Sequence, residues 1–439
     1  MKVLLVFLFA SVYAKHELYE GWKSFYVKPS TDVQLKSLRN LNPELDLDFI
    51  SYPTVDREGV VVVKPPFQDD FLKFMAEENI EYWVHAEDVK AQLDQDDQLI
   101  EAQRKATRFS RSERVTYENY QPLEVIYEYM DTVARKYSQT VTLVTPANSF
   151  EGRPIKYLKI SKDNFKSGKP VIFLDAGLHA REWITIPTVT YAIHKLVENV
   201  TEPDLLDKFD WILFPVVNPD GYKYSYDVAR LWRKTRSTDQ HSLSAMCPGV
   251  DGNRNYDFFW NTVGTSSNPC SDQYAGGRPF SEVETRAVDG ILKEHLNKLA
   301  MYITMHSFGS MILYSWGHDG TLSEHAFDLH TVGVKMADVI VKSSLSHFPR
   351  YIVGNSALVL NYRASGGSED YAHSIGVKLA YTFELPGFGR GGNGFILNPR
   401  YIKQVSAETW AGVVIGAREA GKLFNARSTQ PNFDNTRQD

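Results

Sequence analysis

Only two cysteines, Cys247 and Cys270, occur in 439 residues. On their own they are too few for a thiolate metal site. There is no excess of positive charge: 48 Lys+Arg stand against 54 Asp+Glu, for a net charge of −6. That balance argues against nucleic acid or an anionic membrane surface as a partner, since both need clustered Lys/Arg. No apolar run approaches the roughly 20 residues of a membrane span. Internal repeats are absent, and so are the Gly-Lys-Ser/Thr of a P-loop and the spaced glycines of a dinucleotide fingerprint. Long disordered tracts are excluded by 24 Tyr, 24 Phe and 8 Trp.

What is present is an ordinary globular composition, 43% hydrophobic and 23% charged, long enough for two or three domains or for one large domain with an appendage. The chain opens with MKVLLVFLFASVYA. One cation, a short apolar run and small residues at Val12 and Ala14 form a signal peptide cleaved after Ala14, so a secreted protein is expected. In that compartment a matched cysteine pair is expected to be oxidised, which for a loop of about two dozen residues contributes roughly 3 kcal/mol. Asn199-Val200-Thr201 has the form of a glycosylation acceptor.

Residues 19–85 read as strand, helix, strand, strand, helix, strand, a small α/β sandwich close to the smallest size that folds alone. Residues 87–100 are acidic and helix-permissive, and they run into Arg104, Lys105, Arg108, Arg111 and Arg114. Such a charge switch between two folded blocks suggests an exposed connector that a trypsin-like protease cuts. From Tyr117 onward helices alternate with short apolar runs at 171–174, 211–216, 299–304 and 378–383. This is the signature of an α/β sheet covered on both faces. A last helix is predicted over 405–423, followed by a polar tail from 425.

Each apolar run delivers chemistry just past its end. His179 and Glu182 follow the run that ends near Asp175, His306 follows Thr304, and Glu384 follows Phe383. In open α/β sheets functional groups gather at the carboxyl ends of strands. A lone His-x-x-Glu is expected by chance; four arrivals at one sheet edge are not. Two His and one Glu suit zinc and leave a fourth position open, which marks a catalytic site. Glu384 is then a carboxylate placed to take a proton from water. Arg233, in Trp232-Arg233-Lys234-Thr235-Arg236, and Arg254, in Asp251-Gly252-Asn253-Arg254-Asn255, offer guanidinium forks for a carboxylate or an oxyanion. The glycine-rich stretches 364–368 and 387–392 read as flexible substrate loops.

These segments together resemble the zinc carboxypeptidases of the pancreatic A/B type, the digestive procarboxypeptidases. EGRPI at Glu151, HAREW at His179, NPDGY at Asn218, WRKTR at Trp232, GVDGNRN at Gly249, MHSFG at Met305, YRASGGSED at Tyr362 and TFEL at Thr382 carry the resemblance. It implies an α/β catalytic domain with a mixed eight-stranded sheet and helices on both faces, preceded by a small α+β propeptide with an antiparallel sheet. The implied boundaries are a signal peptide at 1–14, an inhibitory propeptide at 15–100, an activation segment at 101–114, a catalytic domain at 115–424 and a tail at 425–439. One zinc ion would be held by His179, Glu182 and His306, with Asp251 orienting His179 from behind. Glu384 would act as base and then acid, and Arg233 would stabilise the oxyanion. Asn253, Arg254 and Tyr362 would hold the substrate's terminal carboxylate, while Arg181 and Phe308 would line outer subsites. Cys247 and Cys270 match the family's disulfide.

The departures bear on specificity. Glu369 stands where A-type enzymes carry an aliphatic residue and mammalian B-type enzymes an aspartate, so basic C-terminal residues are expected. Phe308 replaces a usual tyrosine. The A-type alternative, for aliphatic or aromatic ends, turns on Glu369. A binding protein on an inactivated scaffold would have lost Glu384 or a zinc ligand, and none is lost. Expected partners are peptides with a free C-terminus, a trypsin-like activator and proteinaceous carboxypeptidase inhibitors. No feature demands an oligomer, so a monomer is expected, in an extracellular setting such as a digestive lumen.

Overall fold

The computed structural model describes residues 15–107, 117–387 and 394–428. The signal segment, the basic residues Arg108, Arg111 and Arg114, most of the loop at 387–392 and the last eleven residues lie outside the described residues.

The run Gly59–Val63 (β3) is buried along its whole length because both faces of its sheet are covered. It pairs antiparallel with Lys23–Lys28 (β1) and Asp48–Ser51 (β2), and β1 pairs antiparallel with Glu81–Ala86 (β4). The sheet order is β2-β3-β1-β4. Side chains alternate between faces with period two. Val61 and Val63 turn toward helices Asp32–Leu45 (α1) and Gln68–Glu77 (α2), packing with Leu38, Phe71 and Met75. Val60 and Val62 turn the other way, onto Ala229, Leu231 and Phe395 of the larger domain. One face therefore holds this unit together, and the other docks it on the rest of the chain. Thr31 starts α1 by accepting the Gln34 N–H, and Asp46 ends it in a left-handed conformation, φ 48°.

Helix Val89–Thr107 (α3) runs on past the acidic stretch and carries Arg104 and Lys105 on its last turn. The helix-permissive stretch is thus helical, and the helix continues into the start of the basic connector. Arg104 donates to Glu101 at 3.0 Å and to the Tyr226 hydroxyl.

The larger domain is built on eight strands: Val141–Asn148 (β5), Pro154–Ile160 (β6), Val171–Ala176 (β7), Asp210–Phe214 (β8), Leu299–Ser307 (β9), Met311–Tyr314 (β10), Ile352–Asn355 (β11) and Ala380–Leu385 (β12). Their order is β11-β10-β12-β9-β7-β8-β6-β5. The centre, β12-β9-β7-β8, is parallel, and β6, β5 and β10 join it antiparallel. The mixed eight-stranded sheet implied by the resemblance is the one observed. Ile172 and Leu174 of β7 enter one core and Val171 and Phe173 the other, which is why this strand reads as an unbroken apolar run. Helices Leu123–Lys136 (α4), Thr185–Val197 (α5) and Ile402–Ser428 pack in the first core, and Val283–His295 in the second. The last helix extends beyond the predicted 405–423.

Candidate active site

The parallel register places the chemistry. Glu384 of β12 lies directly beside His306 of β9, and Ala176, the end of β7, beside Met305. His306 and Glu384 are therefore inside strands, whereas a position after them was expected. The apolar run stops at Thr304, but pairing continues to Ser307 and carries His306 with it. After β7 the chain turns at Gly177, φ 65°, where a Cβ would meet Ile186 and the Pro215 carbonyl at 3.2–3.3 Å. That turn brings His179 and Glu182 back over the sheet edge before α5 begins.

His179, Glu182 and His306 form a buried group whose ligand atoms all lie within 4.8 Å of one another. The two Nδ1 atoms face each other at 3.0 Å, with the Glu182 oxygens 2.8 Å from His179 Nδ1 and 3.0 Å from His306 Nδ1. Ligands about 2.05 Å from a tetrahedral zinc stand roughly 3.3 Å apart, so the three donors are spaced to share one ion. The remaining ring nitrogens are already engaged: His179 Nε2 is 2.9 Å from Asp251 Oδ1, and His306 Nε2 is 3.3 Å from Thr304 Oγ1. Both rings thus turn Nδ1 toward the shared point, and the donor set fits zinc. Against burial, which opposes it, the two imidazoles hold the Glu182 carboxyl well below the carboxylate range. Its charge outweighs the burial of His306 and raises that imidazole to about 9 in the metal-free protein. Burial and the Glu182 charge push Glu384 up to about 8, with His306 and Arg233 pulling the other way.

Arg233 donates from Nε and Nη2 to Asp251 Oδ2 at 3.1 and 2.9 Å, and its Nη1 is 3.8 Å from Glu182. Asp251 thereby joins the guanidinium to the His179 ring. It also caps the 3-10 turn Gly252–Arg254 by accepting the Asn253 N–H at 2.9 Å. Arg254 donates to the Gly264 and Asn253 carbonyls at 2.7 and 2.8 Å, and Asn253 Oδ1 accepts the Ser368 N–H at 2.9 Å. Gly366, φ 73°, packs against the Arg254 backbone so closely that a Cβ would stand 2.4 Å from its carbonyl oxygen. This contact draws the Tyr362–Asp370 segment to the Arg254 turn.

A cavity of ≈ 240 Å³ lies over the site and is lined by His179, Glu182, His306, Glu384, Arg233, Asn253, Arg254 and Tyr362. Glu369, Met311, Leu313 and Ser356 line it too. Glu369 is 7% exposed. Its Oε1 is 3.4 Å from Ser356 Oγ, and Oε2 is buried without a hydrogen-bond partner. A buried carboxylate oxygen left open inside a cavity is a place for a cation. Phe308 lines the same cavity and packs edge-on to Phe395, ring centroids 5.1 Å apart. Cys247 and Cys270 form a disulfide.

The N-terminal unit supplies the cavity's other wall through Phe49, Ile50, Ser51, Tyr52, Thr54 and Arg57. Tyr52 stacks on Tyr362, centroids 4.8 Å apart, and Tyr362 donates its hydroxyl to the Gly264 carbonyl at 3.0 Å. Asp48 sits against Arg181, both oxygens within 2.8–3.0 Å of Nη1. Burial pushes the Asp48 carboxyl up to about 6, with Arg181 opposing. Asp48 and Tyr52 were missed in the sequence, because an acid opening a strand and a tyrosine just after one carry no local signal. Met311, Leu313 and Ser356 were missed too, as ordinary strand and helix-start residues.

A family model described as "Zinc carboxypeptidase" matches residues 126–412, and one described as "Carboxypeptidase activation peptide" matches residues 25–96. The chain is 61% identical to Carboxypeptidase B of Helicoverpa zea over 428 residues, covering 97% of this chain and 100% of that one. The crystal structure of Carboxypeptidase A from Helicoverpa armigera superposes with a TM-score of 0.89 at 40% identity, covering 93% of this chain and 99% of that one. Bovine thrombin-activatable fibrinolysis inhibitor, solved in complex with tick carboxypeptidase inhibitor, matches with a TM-score of 0.64 at 32% identity, over 70% of this chain and 99% of that one.

Proposed function

The chain belongs to the zinc carboxypeptidase family and carries its activation peptide, and from that premise we propose a secreted zymogen that, once cut by a trypsin-like protease, removes basic C-terminal residues from peptides. Its cofactor is zinc. The observation that carries the specificity is the buried, unpartnered Glu369 Oε2 in a cavity whose lining also includes the apolar Met311 and Leu313. A lysine or arginine side chain lays its methylenes along such walls and brings its charge to the carboxylate. A phenylalanine would leave that oxygen unpaired.

His179, Glu182 and His306 would hold the ion, which when bound supplies positive charge that polarises the scissile carbonyl and acidifies water beside it. Asn253, Arg254 and Tyr362 hold the free terminal carboxylate, so only the last peptide bond reaches the site. Glu384 accepts the proton of the attacking water at a carboxylate oxygen and later returns it to the leaving amine. Arg233 donates to the oxygen on which negative charge develops, a contribution of roughly 3–4 kcal/mol for donors of this kind. Asp251 keeps both Arg233 and His179 aimed. Arg181 and Phe308 line the path of upstream substrate residues, which Asp48 and Tyr52 occupy in the zymogen.

The domain assignment that goes with this reading is a signal peptide at 1–14, propeptide at 15–100, activation segment at 101–114, catalytic domain at 115–424 and tail at 425–439. No helix among the described residues is long and apolar enough to cross a membrane. We assign the protein to the extracellular space as a monomer. Proteinaceous inhibitors are fitting partners, as the complex with the bovine relative suggests.

The test is to treat the zymogen with trypsin and offer paired peptides ending in Lys and in Phe, with mass spectrometry of the products. Selective release of Lys is expected. Selective release of Phe would overturn the specificity while leaving the zinc chemistry standing.

A further inference from the structure

Behind Arg233, away from the cavity, its segment is tied into a series of buried polar groups. The Thr235 N–H donates to the Val250 carbonyl at 3.0 Å, and the Val250 N–H donates back to Thr235 Oγ1 at 2.9 Å. The same hydroxyl gives its proton to Glu282 Oε2 at 2.7 Å. Glu282 is held in turn: its Oε1 accepts from Ser281 Oγ at 2.9 Å and its N–H donates to Asn255 Oδ1 at 3.2 Å. Thr235, Asn255 and Glu282 are 0–2% exposed. Thr235 lies two residues after Arg233, Val250 one before Asp251, and Asn255 one after Arg254. The series therefore clamps together the two segments whose side chains meet in the site.

The clamp acts at the distance that matters. Arg233 and Asp251 meet at 2.9 Å, and Asp251 meets His179 at 2.9 Å. Gly249, φ 86°, shows how close the segments run, for a Cβ there would stand 2.0 Å from the Thr235 carbonyl oxygen. A hydroxyl that accepts from one segment and donates to a fixed carboxylate leaves neither segment free to slide. Glu282 does not line the catalytic cavity, so any effect of it on the reaction is indirect, through Thr235 on the Arg233 side or through Ser281 and Asn255 on the Arg254 side.

We propose that Thr235 and Glu282 are positioning residues for Arg233: their buried hydrogen bond fixes the backbone from which the guanidinium reaches Asp251 and the developing oxyanion. The proposal rests on the reading of Arg233 given above. An interaction made only in the transition state lowers kcat and leaves KM in place when it is lost. A misplacement of about 1 Å costs on the order of 10²-fold, so partial misplacement costs about 10- to 100-fold.

The experiment is a double-mutant cycle on the trypsin-activated enzyme, using Arg233→Ala, Thr235→Val and the pair, with kcat and KM measured separately. Valine keeps the shape of threonine and removes the hydroxyl. The expected result is a kcat lowered about 10- to 100-fold in Thr235→Val with KM within about threefold. In the Arg233→Ala background the same change costs nothing further. Thr235→Ser, which keeps the hydroxyl, retains kcat. An equal loss in both backgrounds would make the effect a general structural one and overturn the proposal. So would a loss in Thr235→Ser as large as in Thr235→Val, or a rise in KM alone. An unchanged kcat in Arg233→Ala would refute the reading of Arg233 and the proposal with it. A drop in Arg233→Ala without one in Thr235→Val would refute the proposal alone. Should Thr235→Val not fold, Glu282→Leu enters the same cycle from the other end of the bond, with the same expected and contrary results.

Discussion

Replacing Glu369 by glutamine keeps the side chain's length and removes its charge, in a position 7% exposed with one carboxylate oxygen unpartnered. Opposite unit charges about 4 Å apart interact by about 4 kcal/mol at an effective dielectric constant near 20. Part of this is offset by stripping water from the entering ammonium. A net loss of about 3 kcal/mol is a fair expectation for lysine, or roughly 10² in kcat/KM. The same substitution relieves a phenylalanine substrate of the need to bury an uncompensated carboxylate, worth a further 1–3 kcal/mol or so. Both effects move the Lys:Phe ratio of kcat/KM in one direction, by about 10³–10⁴. The assay is the initial rate of release from paired peptides that differ only in the last residue, using activated wild type and Glu369→Gln. A ratio within about threefold of wild type would refute the assignment of Glu369 as the charge that selects the substrate.

Three further outcomes are expected. Glu384→Gln lowers kcat by about 10²–10⁴, yet elemental analysis finds one zinc per chain, because Glu384 is not among the three donors grouped in the site; loss of the metal would reassign it. Asp48→Ala takes from the buried Arg181 its partner at 2.8 Å and leaves it Asp272 at 3.4 Å, a change worth up to about 3 kcal/mol. The uncleaved zymogen is then expected to hydrolyse a small substrate at least about tenfold faster, and an unchanged rate would show that this pair does not hold the cleft shut. Zinc binding needs a neutral His306, whose metal-free pKa is raised to about 9. Below that value each ion displaces a proton, so affinity falls about tenfold per unit of pH lowered. Chelator competition between about pH 6.5 and 8.5 would read this slope, and a flat response would show that His306 is not held protonated.

In the larger domain the strands legible in the sequence were those buried on both faces. β7, β8, β9 and β12 read as apolar runs because each central strand packs a core on either side. β5 and β6 passed unnoticed: β5 is the edge strand, half of it open to solvent, and Lys156 and Lys159 interrupt the apolar pattern of β6. β10 and β11 are four residues each, too short to show any period. The apolar run of β9 stops at Thr304, since hydropathy cannot follow a strand into polar residues held there by pairing with β12.

The sequence by itself determined which chemistry was available: two histidines and two glutamates in or just after apolar runs, and two arginines flanking Cys247. Those are properties of residue type and spacing, and they survive without coordinates. Only the tertiary structure decided which charges are met and which are left open. The Asp48 carboxylate comes from a strand of the N-terminal unit to cover Arg181, more than a hundred residues away in the chain, while Glu369 keeps an oxygen without a partner in a buried cavity. Sequence spacing carries no information on such pairings, because they arise where two separately folded surfaces meet and where burial removes the water that would otherwise satisfy every charge alike.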